Sequence, residues 1–67
     1  MKLKKEINKL KFDYGVSLAY ISRKANVPYR SLYNYYMGYT SSYDYEKTLK
    51  VLNSIEEIYI ELSLLHD

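Results

Sequence analysis

The sequence predicts an all-α fold, a small bundle of four to five helices. Apolar residues recur at spacings of three and four along most of the 67-residue chain, which is the period of an amphipathic helix. Two glycines and one proline are the only strong helix breakers. The alternation of β-branched residues that would indicate strands is missing. A chain of this length forms one domain at most, so residues 1–67 are predicted to be a single domain.

The first two predicted helices are separated by a glycine and a capping serine. The first helix has lysines on one face and an apolar face made of Leu3, Ile7, Leu10 and Tyr14. Gly15 suits the left-handed position that ends a helix, and Ser17 can cap the next helix by accepting from backbone amides. Asn26 ends the second helix because asparagine tolerates the left-handed conformation, and Val27 should point inward. The inner face of the second helix is predicted to be Leu18, Ile21, Ser22 and Ala25.

A third, aromatic helix is predicted at residues 28–37, within the segment VPYRSLYNYYMG at 27–38. This segment holds four of the ten tyrosines and is followed by Tyr39. Pro28 begins the helix, because the fixed φ of proline suits a first helical turn. Gly38 closes it.

Some of the tyrosines are expected to pack in the core, which has little phenylalanine. Leu32 and either Tyr35 or Tyr36 would form the inner face of the third helix. We expect burial for Tyr35, and also for Tyr14 at the end of the first helix.

The C-terminal segment, residues 44–66, is predicted to be helical. Asp44 can cap its first turn after the polar loop YTSSYD. The run SIEE at 54–57 has the form of a capping box, so the segment forms either two helices or one long helix. Alternating spacings of four and three give a heptad-like apolar stripe of Val51, Ile55, Ile58, Leu62 and Leu65.

Residues 15–38, GVSLAYISRKANVPYRSLYNYYMG, resemble the helix-turn-helix of the phage-repressor-like (Cro/XRE-type) DNA-binding family without a gap. The following DYEKTLKVL is similar to the family's next helix, so the resemblance covers residues 3–58. It implies a lambda-repressor-like bundle with a helix-turn-helix at 17–37. The matched positions are a cap, a buried pair, a turn pair, an inner aliphatic and a closing glycine, namely Ser17, Ile21, Ser22, Asn26, Val27, Leu32 and Gly38.

The resemblance also implies which residues would contact DNA, with the third helix in the major groove. Arginine pairs with guanine O6 and N7, asparagine with adenine N6 and N7, and an aromatic ring can lie against a thymine methyl. The outward, base-reading residues would be Tyr29, Arg30, Tyr33 and Asn34. Further positions match residues near the phosphates, which set register without reading sequence: Lys11, Ser17, Tyr39, Thr40 and Ser41.

Several positions depart from the family pattern. Leu18 stands where a phosphate-binding glutamine is common, and the loop after the third helix has no lysine or arginine. Lys11 and Tyr36 stand where the family often pairs an arginine with a glutamate. Fewer cations near the phosphates imply weaker binding and a shallower salt dependence.

Charge is divided unevenly along the chain. Residues 1–34 carry eight lysines and arginines against Glu6 and Asp13, a net +6, whereas residues 35–67 carry two lysines against six acidic residues, a net −4. A basic half suits a polyanion such as double-stranded DNA, although lysine-rich helix faces are also ordinary solvated surface.

Neither an enzyme, a cofactor nor a metal site is expected. The chain has no cysteine and a single histidine, His66, which argues against a fixed general base or a multi-histidine metal site. A Gly-rich phosphate loop is also missing. The lysine-rich start has no apolar run behind it and no stretch approaches about 18 apolar residues, so we expect a cytoplasmic protein without a membrane partner.

The function predicted from these features is that of a sequence-specific DNA-binding repressor or autoregulator of phage or mobile-element type. The alternative is a protein that reuses the same fold to bind and inhibit another protein, such as an antirepressor or an anti-CRISPR or anti-defence inhibitor. The abundance of tyrosine favours this alternative, because tyrosine is enriched at protein interfaces.

A homodimer through the C-terminal helix is also predicted. Tyr59, Leu62 and Leu65 are expected to stay exposed in a monomer and to form the interface. A two-fold axis there would set two recognition helices about 34 Å apart, which is one turn of DNA. The acidic residues of this helix are expected to point outward, away from DNA: Glu56, Glu57 and Glu61.

Overall fold

The computed structural model describes residues 2–40 and 43–65, which contain four α-helices and no strand. The all-α prediction is confirmed. Ser41 and His66 lie outside the described residues. The helices are α1 (Lys2–Tyr14), α2 (Leu18–Ala25), α3 (Tyr29–Tyr36) and α4 (Tyr45–Leu65).

One apolar core joins the four helices. Helix α4 packs against α1 and α2, and α3 packs against α2. The predicted burial of Tyr14 is wrong: it is the last residue of α1, is 46% exposed, and packs edge-on against Tyr59 with 5.7 Å between ring centroids. The other predicted inner faces are confirmed, and the core consists of Leu3, Ile7, Leu10, Leu18, Ile21, Ala25, Val27, Leu32, Tyr35, Val51, Ile55 and Ile58.

The turns on either side of α2 take the conformations that their residues predict. Gly15 has a φ of 70° after the end of α1. The Ser17 hydroxyl oxygen accepts from the Tyr20 amide at 3.0 Å and so caps α2. Asn26 is left-handed, with φ 57° and ψ 44°, and the side chain of Val27 is buried. The amide of Val27 donates to the Ser22 carbonyl at 3.1 Å, which closes the end of α2.

Helix α3 begins directly after this turn. Pro28, with φ −62° and ψ 134°, stands just before its first residue, and the Pro28 carbonyl accepts from the Leu32 amide at 3.2 Å. Gly38, with a φ of 85°, follows the last turn. Only three residues separate α2 from α3, so the conformation of this turn sets the direction of α3.

Helix α4 is one continuous helix of 21 residues, which decides between the two alternatives for the C-terminal segment. Ser54 does not start a new helix, because its hydroxyl donates back to the Val51 carbonyl at 2.7 Å. Ser54 is also 2% exposed, on the side of α4 that packs against the other helices. The helix begins directly after Asp44, whose backbone carbonyl accepts from the Thr48 amide at 2.8 Å.

We predict that Asn26→Ala lowers the free energy of unfolding by about 1 kcal/mol, because alanine pays the steric cost of the left-handed conformation in full. Asn26→Gly should leave the stability unchanged or raise it slightly, since glycine has no Cβ to clash. Urea unfolding followed by helical circular dichroism measures both values. Equal losses for the two variants would show that the Asn26 side chain, not its backbone conformation, is what matters.

Candidate nucleic-acid interface

Helix α3 is held by two buried side chains and presents its other side to solvent. Leu32 is fully buried and Tyr35 is 2% exposed, so this face faces the core. Residues one turn apart share a face of a helix, which places the remaining face outward. Tyr29 and Arg30 are exposed there, while Tyr33 and Asn34 are half-buried.

Three tyrosine rings make contact on this outer side. The rings of Tyr29 and Tyr33 are stacked, with centroids 5.9 Å apart and an angle of 29° between planes. Tyr39 meets Tyr33 edge-on at 6.3 Å. The backbone amide of Tyr39 donates to the Asn34 carbonyl at 2.9 Å, which holds the start of the following loop against α3. Five residues thereby line one shallow depression of about 460 Å³, here called the α3 face: Tyr29, Arg30, Tyr33, Asn34 and Tyr39.

The polar side-chain groups of the α3 face have no hydrogen-bond or ion-pair partner among the described residues. Neither the Arg30 guanidinium nor the Asn34 carboxamide has a hydrogen bond or ion pair to another described residue, nor do the hydroxyls of the three tyrosines. A surface that keeps its donors and acceptors free can offer them to a partner. The structure therefore brings together all four of the residues predicted to read bases, and places with them Tyr39, which the resemblance implies lies near the phosphates.

Lysines of α1 lie beside α3. The Lys11 ammonium is 5.2 Å from the centroid of the Tyr36 ring, and the Lys4 ammonium is 5.5 Å from that of Tyr35. The hydroxyl of Tyr36 donates to the Asn8 carboxamide oxygen at 2.5 Å. Sequence reasoning missed Lys4, although its seven-residue spacing from Lys11 puts the two on one side of α1.

The remaining predicted DNA contacts are dispersed. Ser17 is exposed at the first turn of α2, and its oxygen already accepts a capping bond, which leaves its O–H free to donate. Thr40 is exposed next to Tyr39. Ser41 lies outside the described residues.

An ion pair neutralises one of the basic side chains, Lys24. The Lys24 ammonium donates to Glu61 Oε2 at 2.7 Å, and the Tyr20 hydroxyl donates to Glu61 Oε1 at 3.1 Å. The bond to Lys24 lowers the pKa of Glu61, and the same bond raises the pKa of Lys24. The Glu61 side chain is 43% exposed, in line with the expected outward position, and its carboxylate also ties α4 to α2.

The end of α4 differs from the predicted dimer surface at two of three residues. Leu65 is 80% exposed, as predicted, whereas Leu62 is half-buried and packs against the core. Tyr59 is also half-buried, because its ring turns toward Tyr14 of α1; burial raises the pKa of its hydroxyl. Leu62 and Leu65 line an apolar groove together with Val16, Tyr20, Ile58, Glu61 and Leu64.

Residues 2–40 and 43–65 contain no group of three or more histidine, cysteine or acidic side chains that could hold a metal ion. None of the described helices combines the length and the apolarity needed to cross a membrane.

The chain matches no protein-family model, no curated protein sequence and no solved structure. What the α3 face can bind is therefore inferred from its own chemistry. That chemistry consists of one guanidinium, one carboxamide and three phenol rings on a helix that the core holds in place.

We predict that Glu61→Gln destabilises the fold at neutral pH and that the difference from the unmutated protein vanishes in acid. A carboxylate whose pKa is lowered by folding stabilises the folded state above its ordinary pKa, and this contribution is lost as the pH falls through the lowered value. Urea unfolding across this pH range measures the difference. The control is Glu56→Gln, an exposed glutamate on the same helix, which should show little effect at any pH. A difference between Glu61→Gln and the unmutated protein that does not change with pH would contradict the ion pair.

Proposed function

We propose that this protein is a sequence-specific DNA-binding repressor or autoregulator, of the type found in phages and mobile elements. In this proposal α2 and α3 form a helix-turn-helix, and α3 enters the major groove of double-stranded DNA. The three-residue interval between the helices, with Asn26 left-handed and Val27 buried, supports this arrangement.

One observation carries the proposal: the α3 face presents Arg30 and Asn34 together, free of other described partners, on a helix anchored by Leu32 and Tyr35. Arginine and asparagine are the side chains that pair bidentately with guanine and adenine in the major groove. Anchoring matters because base pairing needs side chains that are held in register.

The surrounding charges support a polyanionic partner. Lys4 and Lys11 lie next to α3, at the tyrosines of its last turn. Lys24 is neutralised by Glu61, on the α4 side. The cations near α3 therefore come from α1 rather than from the loop after α3, which has none. Their small number favours a moderate dependence of affinity on salt.

A homodimer through the end of α4 belongs to the same proposal. Leu64 and Leu65 are 70% and 80% exposed, and the groove that they line is mainly apolar. Exposed apolar patches of this kind favour association. A two-fold axis makes such a patch self-complementary, and would present two α3 helices to two half-sites.

A second candidate function, binding and inhibition of another protein, is favoured by the three tyrosines of the α3 face. Their rings touch one another and their hydroxyls have no described partner. Tyrosine supplies large contact area at low cost in side-chain entropy, which is why it is enriched in protein-binding surfaces. Arg30 can serve either partner, so binding experiments must separate the two.

We predict that Arg30→Ala weakens binding to a duplex selected by the protein from a random library by about 1–3 kcal/mol, and relaxes preference at one base pair. The control is Lys50→Ala, which removes the same charge from the exposed surface of α4 and should change affinity little. Fluorescence anisotropy on the selected duplex and its single-base variants measures both effects. An equal loss on every sequence would reduce Arg30 to a phosphate contact.

The salt dependence distinguishes the two candidate functions. For a DNA-binding dimer with few cations near α3, log affinity should fall against log salt with a slope of roughly −3 to −6. Failure to select any duplex, or a measurable complex with a slope near zero, would count against DNA and in favour of a protein target.

We predict that the unmutated protein is a dimer at about tens of micromolar and that the double variant Leu64→Asp with Leu65→Asp is a folded monomer with weaker duplex binding. Burying one leucine contributes roughly 1.5–3 kcal/mol, which a charged residue would forfeit. Both side chains are exposed, so the core should tolerate the change, unlike one at Leu62.

Multi-angle light scattering measures the mass of each protein, and circular dichroism checks the fold. The control is Phe12→Asp on α1, where the replaced side chain is 77% exposed and lies outside the groove. It should remain dimeric. A monomeric unmutated protein at this concentration would contradict the proposed dimer.

A further inference from the structure

The α3 face is more aromatic than base reading by Arg30 and Asn34 requires. Three of its five residues are tyrosines, and two of them keep much of their surface in solvent: Tyr29 is 48% and Tyr39 is 69% exposed. Because both exposed rings are in contact with Tyr33, the three together form an apolar surface of definite shape.

Tyr33 holds the other two rings in place. It is half-buried and packs against the core, it stacks on Tyr29 at 5.9 Å, and it meets Tyr39 edge-on at 6.3 Å. Aromatic pairs at these distances contribute favourable contacts beyond area burial. Rings that are positioned before binding lose less freedom when a partner arrives. Tyr33 is thus a positioning residue, and Tyr29 and Tyr39 are the rings presented outward.

The two outward rings flank Tyr33, with ring centroids 5.9 Å from it for Tyr29 and 6.3 Å for Tyr39. Successive bases on one strand rise by about 3.4 Å, so rings on either side of Tyr33 can face different base pairs. The only strongly apolar group on the edge of a base pair in the major groove is the C5-methyl group of thymine. A ring of Tyr29 or Tyr39 can bury that methyl group, whereas the same ring gains little against the amino group of cytosine.

Stacking on unpaired bases is a poorer match for this surface. A base held between two rings needs about twice the 3.4 Å stacking distance between them, and Tyr29 and Tyr33 are already stacked on each other at 5.9 Å. The phosphate backbone is also a poorer match, because Arg30 is the one cation among the five residues that line the α3 face.

We propose that the α3 face selects duplex sites rich in thymine, with Tyr29 and Tyr39 burying thymine C5-methyl groups beside the bases read by Arg30 and Asn34. This inference rests on the proposed function, since it names the class of DNA sequence for that same face. It assigns to the tyrosines a part of the sequence preference that hydrogen bonds do not supply.

Deoxyuridine, which lacks only the methyl group, provides the direct test. The probe is the duplex that the protein selects from a random library, resynthesised with deoxyuridine in place of one thymine at a time. Within the half-site, at least two replacements should each weaken binding about fourfold, the equivalent of about 0.8 kcal/mol for one buried methyl group. Replacements in the flanking duplex should have no effect.

Variants of Tyr29 show whether the tyrosine ring is responsible. In Tyr29→Ala, replacing one of the sensitive thymines with deoxyuridine should no longer weaken binding. Tyr29→Phe, which keeps the ring and loses the hydroxyl, should keep the discrimination. Tyr45→Ala, a change to an exposed tyrosine on α4, should keep it as well. Circular dichroism shows that each variant is folded.

The outcomes separate this inference from the proposed function. A protein that selects a duplex but tolerates deoxyuridine at every position would overturn the thymine inference and leave DNA binding intact. The same holds if the selected sites are poor in thymine, or if Tyr29→Phe loses the discrimination as fully as Tyr29→Ala. If no duplex is selected, or single strands bind better than any duplex, the proposed function fails and the inference fails with it.

Discussion

The short turn between α2 and α3 is the constraint on which the rest of the structure depends. Helix α3 has eight residues, and a helix of this length is not stable in water by itself. It exists because Leu32 and Tyr35 are buried, and they can be buried only if the chain changes direction between Ala25 and Tyr29. A left-handed Asn26 and an inward Val27 provide that change of direction within three residues. The side of α3 that faces solvent is a consequence of this geometry.

Tyrosines connect α3 to α1 as well as to the core. Tyr35 is buried and its ring lies under the Lys4 ammonium, while the ring of Tyr36 lies under that of Lys11. A cation over a ring keeps a contact between the two helices without consuming the positive charge in an ion pair. The lysines beside α3 therefore both pack and retain a field that attracts anions.

The acidic half of the chain also has two effects: it neutralises a cation and it exposes an apolar surface. Glu61 accepts from Lys24 and Tyr20, so one carboxylate joins the far end of α4 to α2. This bond uses up a cation of α2, whereas no ion pair joins Lys4 or Lys11 of α1 to a described residue. The last residues of α4 then extend past the core, with Leu64 and Leu65 exposed. The same helix thus neutralises one basic side chain and provides the apolar groove proposed for the dimer.

The sequence by itself determined the features that depend on residues close together in the chain. The cap at Ser17, the left-handed Asn26, and the inner residue Leu32 follow from local conformational preference and helical period. The grouping of Tyr29, Arg30, Tyr33 and Asn34 follows from the same period, because one turn of helix places them side by side. For this reason most of the candidate site could be predicted.

The tertiary structure alone decided what depends on residues far apart in the chain. The place of Lys4 beside Tyr35, the bond from Lys24 to Glu61, and the exposure of Tyr14 each depend on how two helices cross. Ser54 shows the same limit on a local scale. Its sequence context fits a capping box, yet burial in the helix interface turns its hydroxyl back to Val51 and α4 continues. Local sequence sets the preference of each segment, but the free energy of packing, which sums contacts from all four helices, selects among the allowed conformations.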